Sequence, residues 1–152
     1  MNQCIHGIDL LSWMLGEEVE EVYGMTNNAF HECIEGEDIG VAVIRFKNGA
    51  VATVEGTVNC FEDFEQTLTI FGEKGTVRLG GHYANKVDTW RFSDNLPEDD
   101  ETLAVDEKAK NVYGNGHTSL YADFIDAIKN NRKPYVDLYV GKRVIEIVLA
   151  IY

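Results

Sequence analysis

Apolar residues recur at Ile5, Ile8, Leu11 and Leu15, with Leu10 and Met14 widening the stripe. Spacing of three and four residues keeps a side chain on one side of a helix, so the pattern predicts a helix over 3–15. Asn2 stands where an N-cap belongs and Gly16 where a helix stops. Trp13 and Met14 are expected in the core. The period then shortens. Residues 19–30 read as a strand, broken or bulged near Gly24. Residues 39–46 and 50–61 flank Lys47-Asn48-Gly49, and Asn-Gly between β-rich runs predicts a hairpin with positive φ at both central residues. In the return strand Ala50, Ala52, Val54, Gly56 and Val58 alternate with Val51, Thr53, Glu55 and Thr57. That alternation implies one buried face and one that tolerates polar groups. Residues 66–71 and 76–79 form a second hairpin around Gly72-Glu73-Lys74-Gly75, and 86–92 a further strand.

Residues 95–115 are polar and acidic and read as a long excursion. Helices return with 118–130, capped by Thr118 or Ser119 and carrying Leu120, Phe124, Ile125 and Ile128 inward. A last helix over 140–152 has Val144, Ile147, Val148 and Ile151 on one stripe, which runs to the end of the chain without a cap. Helix, then antiparallel strands, then two helices predicts an α+β fold: a mostly antiparallel open sheet with helices packed on one face. The chain of 152 residues fits a single domain spanning 1–152.

Composition narrows the partners. Formal net charge is −13. An acidic chain lacks the clustered Lys and Arg that nucleic acid or an anionic membrane surface requires, so neither is expected as a partner. Glu17–Glu21 and Glu98–Glu101 carry much of the charge and read as solvated loops or edges. No apolar run approaches the ~20 residues of a membrane span, and no signal peptide is visible. Three cysteines without a C-x-x-C pair suggest reduced thiols and a cytoplasmic protein.

On the first helix Asn2 and His6 lie four residues apart and share a face, and Asp9 lies three beyond. An imidazole suits proton transfer near neutral pH, and an amide beside it can orient a substrate hydroxyl. A histidine on an apolar helix is also commonly a packed core residue, and spacing alone leaves both readings open. Asp9 could hold the His6 ring or bond a neighbouring loop. Tyr113-Gly114-Asn115-Gly116-His117 precedes a helix N-terminus, where free N–H groups favour anions. Asn115 and His117 could touch a phosphate or sugar there, or the stretch could be a capping loop. No metal is expected: His31-Glu32-Cys33 lacks a second ligand cluster, and Cys4 and His6 diverge on a helix. The chain has no G-x-G-x-x-G and no G-x-x-x-x-G-K-[ST], so it lacks the turn that cradles a dinucleotide or triphosphate.

The start N-Q-C-I-H-G-I-D-L-L, the hairpin F-K-N-G-A-V-A-T-V-E-G, the pair T-I-F-G-E-K-G-T-V-R-L, the helix G-H-T-S-L-Y-A-D-F-I-D-A-I and the final K-P-Y-V-D-L-Y-V-G-K-R-V-I-E-I-V-L-A-I-Y resemble, in order, the C-terminal domain of the Gfo/Idh/MocA oxidoreductases. The resemblance implies a parent with an N-terminal Rossmann domain that binds NAD or NADP and supplies a lysine, neither of which is in this chain. It implies that His6 is the general acid/base on a sugar or polyol hydroxyl. The family motif is D-x-x-x-H; Asn2 stands where Asp is usual, so it would orient His6 rather than polarise it. Cys4 takes a position where small residues are common. The N-Q-x-I-H start is similar to the branch that oxidises the 3-hydroxyl of UDP-N-acetylglucosaminuronic acid. The family further implies a homodimer or homotetramer through the open sheet face, and a fragment that is inactive alone. The alternative is a non-catalytic module for sheet-mediated dimerisation or carbohydrate binding.

Overall fold

The computed structural model describes residues 4–16, 18–62, 64–106, 108, 114 and 116–152. Among the described residues there are six strands and four helices, one helix (α2) more than the sequence pattern predicts: α1 (Ile5–Leu15), β1 (Val19–Asn27), β2 (Ile39–Phe46), β3 (Val51–Thr57), β4 (Leu68–Phe71), β5 (Gly75–Gly80), β6 (Lys86–Phe92), α2 (Pro97–Leu103), α3 (His117–Lys129) and α4 (Leu138–Ile151). The fold is α+β. Its strands form two three-stranded antiparallel sheets, β1-β2-β3 and β4-β5-β6, where the sequence pattern had read as one open meander. The chain divides into two compact units, Met1–Phe61 with Val136–Tyr152, and Glu62–Tyr135.

In the first unit the buried positions of β2 are Gly40, Ala42, Ile44 and Phe46, and its odd-numbered neighbours Val41, Val43 and Arg45 are exposed. Period-two alternation alone sends these side chains to opposite faces. The buried face meets α4, which packs on β1, and α1 packs on α4. Ile8 and Leu11 of α1 and Val144, Ile147 and Ile151 of α4 complete this core. Asp137 caps α4 by accepting from the N–H groups of Tyr139 and Val140 at 2.9 and 3.2 Å, and Gly16 ends α1 at φ 65°. Gly24 is not the site of a bulge. It pairs in register with Ala42, and the irregularity lies between Val19 and Glu21. Glycine is needed at 24 because a Cβ would sit 2.7 Å from the Ile151 carbonyl oxygen, where α4 crosses the strand. The β2–β3 turn has positive φ at Gly49 only, not at Asn48. It is a three-residue connection, closed by Phe46 N–H donating to Ala50 O and Gly49 N–H to Phe46 O, both at 2.9 Å.

In the second unit, part of the stretch expected to be an acidic excursion is helix α2, which packs on β6. Asp99 explains why. Its carboxylate is buried, accepts the N–H of Leu96 at 2.7 Å, and takes the indole N–H of Trp90 at 2.8 Å. Glu98–Glu101 is therefore not only a solvated charge run. Helix α3 buries Ala127, whereas Leu120, Phe124, Ile125 and Ile128, expected inward, are exposed. Beyond α3, Arg132 bonds the carboxylates of Asp123 at 2.7 Å and Asp126 at 2.6 Å, and Asp123 accepts the N–H of Tyr135 at 2.7 Å. No helix among the described residues is long and apolar enough to cross a membrane.

Candidate functional site

Helices α1 and α4 run antiparallel. Arg143, near the start of α4, donates to the Ser12 carbonyl near the end of α1 at 3.0 Å. Cys4, just before α1, interacts electrostatically with Tyr152, just after α4, so the start of α1, with His6, lies by the end of α4. There the Tyr152 hydroxyl donates to Glu37 Oε1 at 2.5 Å, across 115 residues of sequence. That bond, with burial and the negative charge of Glu37, pushes the Tyr152 phenol up to about 12. The contact ties α4 to Glu37, two residues before β2, and so fixes the end of the first sheet that α4 reaches.

His6 and Asp9 are both exposed and, three residues apart, share the outward face of α1. Trp13 continues that face. It is 66% exposed rather than a core residue, because the buried side of α1 is already filled by Ile8, Leu11 and Ser12. Trp13 and Asp9 flank a cleft of about 180 Å³ between α1 and α4, walled by Val140, Arg143 and Val144. His6 is thus not a packed helix residue, and its imidazole is open to a ligand. Asn2 and Asn115 lie outside the described residues. His117 opens α3 in the second unit, exposed, with its ring 6.5 Å from that of Tyr121.

The sequence reading missed the most constrained part of this end. Asp38 has a fully buried carboxylate. It accepts the N–H groups of Ala29, Phe30 and His31 at 2.8, 2.7 and 3.1 Å and meets the His31 ring at 3.2 Å. Three consecutive N–H groups on one carboxylate make an anion nest filled from within. Asn28 closes the same loop by donating to the carbonyls of His31, Ile34 and Gly36 at 2.9, 2.9 and 3.0 Å. One signal was legible. Asp38 is in phase with Gly40, Ala42, Ile44 and Phe46, so an acidic residue there had to be buried and satisfied.

Burial pushes the Asp38 carboxyl up, but the N–H groups of Ala29 and Phe30, with the Asn59 side chain and the His31 ring, outweigh it and hold the group well below the usual carboxylate range. A depressed carboxyl stabilises the fold above its unfolded pKa and loses that contribution as pH falls below it. The wild-type urea midpoint should therefore drop below about pH 4, and Asp38→Asn should flatten that dependence. Equal slopes in the two proteins would show that Asp38 does not titrate with folding.

Among the described residues no three His, Cys, Asp or Glu side chains gather as a metal site. Both sheets are antiparallel, and among the described residues no strand leads through a glycine-rich turn into a helix. These elements do not fit a dinucleotide pyrophosphate, which takes its N–H groups from such a turn.

Comparison with known proteins places the fold. The family model for the oxidoreductase (Gfo/Idh/MocA) C-terminal alpha/beta domain matches residues 1–152. The structure is similar to the WlbA dehydrogenase of Bordetella pertussis, solved with NADH and UDP-GlcNAcA, at TM-score 0.88 and 37% identity over 100% of this chain and 44% of that one. The Chromobacterium violaceum WlbA dehydrogenase, with the same two ligands, gives TM-score 0.85 and 33% identity over 100% of this chain and 42% of that one. The myo-inositol 2-dehydrogenase of Thermotoga maritima is 25% identical over 93% of this chain and 42% of its own length. The chain thus spans less than half the length of each of these relatives.

Proposed function

The chain belongs to the Gfo/Idh/MocA oxidoreductase family, as its C-terminal alpha/beta domain, and from that premise we propose that it is the substrate-binding and assembly domain of a cytoplasmic NAD(P)-dependent dehydrogenase acting on a hydroxyl of a sugar, nucleotide sugar or polyol. The observation that carries the reading is His6, exposed on the same helix face as Asp9. His6 takes the substrate hydroxyl proton in oxidation and returns it in reduction. Asp9 orients the imidazole or a second hydroxyl, and Asn2, Asn115 and His117 are proposed substrate contacts. The dinucleotide is the oxidant, held by a Rossmann domain outside these residues, so the chain alone is inactive. Likeness to the two WlbA dehydrogenases supports a nucleotide sugar with an N-acetylated uronic acid. The test is a panel of nucleotide sugars and polyols with NAD or NADP, given to the full-length protein carrying this domain. Turnover of one substrate class is expected. A folded protein inert across the panel would leave a dimerisation or carbohydrate-binding module.

The open face of the first sheet supports assembly. Tyr23, Val43 and Thr53 stand in one cross-strand row and Met25, Val41 and Glu55 in the next. The apolar members are exposed. Arg45 offsets Glu21 at 3.6 Å, so the face is almost neutral in a chain of net charge −13. Two such faces can meet where the rest of the surface repels, as an isologous contact. Sedimentation should give a dimer, and Val43→Glu a monomer. A wild-type monomer at high concentration would remove the sheet face as an interface.

A further inference from the structure

Two phenylalanine rings of the first unit are left in water: Phe30 is 77% exposed and Phe61 97%. Both belong to segments that Asp38 holds. Phe30 gives its own N–H to Asp38 Oδ2 at 2.7 Å. On the other side, the Thr57 hydroxyl and the Val58 N–H donate to the Asp38 carbonyl, both at 3.0 Å. Asn59, two residues before Phe61, donates its N–H to Thr57 Oγ1 at 3.0 Å. An exposed phenylalanine on a loose loop is ordinary. Here the backbone is fixed at Phe30 on the buried Asp38 carboxylate and, on the other side, as far as Asn59 on the Asp38 carbonyl, while both rings stay uncovered. This occurs where β1 ends, β2 begins and β3 ends, since Asn27 pairs with Ile39 and Ile39 with Thr57. It is also the end to which the Tyr152–Glu37 bond ties α4, and Cys4, two residues before His6, interacts electrostatically with both Glu37 and Tyr152.

We propose that Phe30 and Phe61 are specificity-determining residues, forming an apolar wall against which the C–H face of a sugar ring packs while His6 meets its hydroxyl. A pyranose has a polar rim and two largely apolar faces. An aromatic ring offers an apolar surface with a negative face that attracts the weakly positive C–H groups, and packing the two removes apolar area from water. A wall without charge also sets ring shape, rather than hydroxyl count, as the feature selected, which favours a cyclic sugar over an open-chain polyol. The inference rests on the sugar dehydrogenase reading and assigns that site's substrate a ring.

The test is saturation-transfer NMR on the 152-residue chain, with N-acetylglucosamine and UDP-N-acetylglucosaminuronic acid as probes. Saturation of pyranose ring protons is expected in the wild type. It should fall about threefold or more in Phe30→Ala and in Phe61→Ala and be retained in Phe30→Tyr, with far-UV circular dichroism unchanged in all. No ring saturation in the wild type, or equal saturation in both alanine variants, would overturn the proposal. So would alanine variants that turn a dimer into a monomer and still bind sugar, because the rings would then serve a second copy of the chain. The two readings fail separately. In the full-length enzyme, a His6→Ala loss of kcat with KM unchanged in both Phe variants removes the wall and keeps the dehydrogenase. Phe-dependent ring saturation in a protein inert across the substrate panel keeps the wall and removes the dehydrogenase.

Discussion

Replacing His6 with alanine in the full-length protein is expected to lower kcat by about a hundredfold or more, the scale of a lost acid/base group. The helix should not suffer. Its packing is carried by Ile8 and Leu11, which are buried, while His6 is exposed, and alanine is the best helix former. A loss of activity without a loss of helicity therefore reads on chemistry. Substrate affinity should change less than turnover, since a proton-transfer group works mainly in the transition state. His82→Ala, on an exposed turn of the second unit, should stay within about twofold of wild type. A His6→Ala enzyme with full activity would force the base onto another residue and leave His6 a surface histidine.

Phe46→Ala is expected to have the largest effect on stability, about 3–5 kcal/mol. Phe46 is wholly buried at the end of β2, in phase with Ile44 and Ala42, and α1 and α4 supply the other residues of that core. Removing the ring leaves a cavity that rigid sheet and helix backbones cannot collapse. Urea unfolding of the 152-residue chain should show a lower midpoint. Val43→Ala, on the opposite face of β2, should cost under about 1 kcal/mol when measured at a concentration where the chain is monomeric. A similar loss at both positions under that condition would mean that the two faces of β2 do not differ in burial within one copy.

The contrast between Val43 and Phe46 shows what the sequence makes legible. Period-two alternation assigns faces directly, and both residues fall where the alternation puts them. The 3.6-residue period placed α1 and α4 equally well, because each has a partner to bury against in its own unit. The same period misjudged α3, whose stripe is as regular but buries Ala127. A stripe states that a face is apolar and does not state what covers it. The division into two sheets was hidden for a related reason: alternation marks strands but carries no record of which strands pair. Gly24 read as a bulge because a glycine in a strand has two causes, and only the position of Ile151 distinguishes them. That His6 and Asp9 share one face of α1 was legible from helical spacing. Trp13 was not, because tryptophan on an amphipathic helix defaults to the core. The Glu37–Tyr152 bond spans almost the whole chain and has no local signature.

The bonds that close the loop around Asp38 are made by backbone groups and by the side chains of Asn28, His31, Asp38 and Asn59. Among the described residues, Glu32, Cys33 and Glu35 contribute no side-chain bond to that ring and point to solvent. The loop is in effect a frame with three blank positions. A library randomised at 32, 33 and 35 would change what the loop displays without changing where it is displayed, which makes this corner of the domain a natural graft site for retargeting the protein.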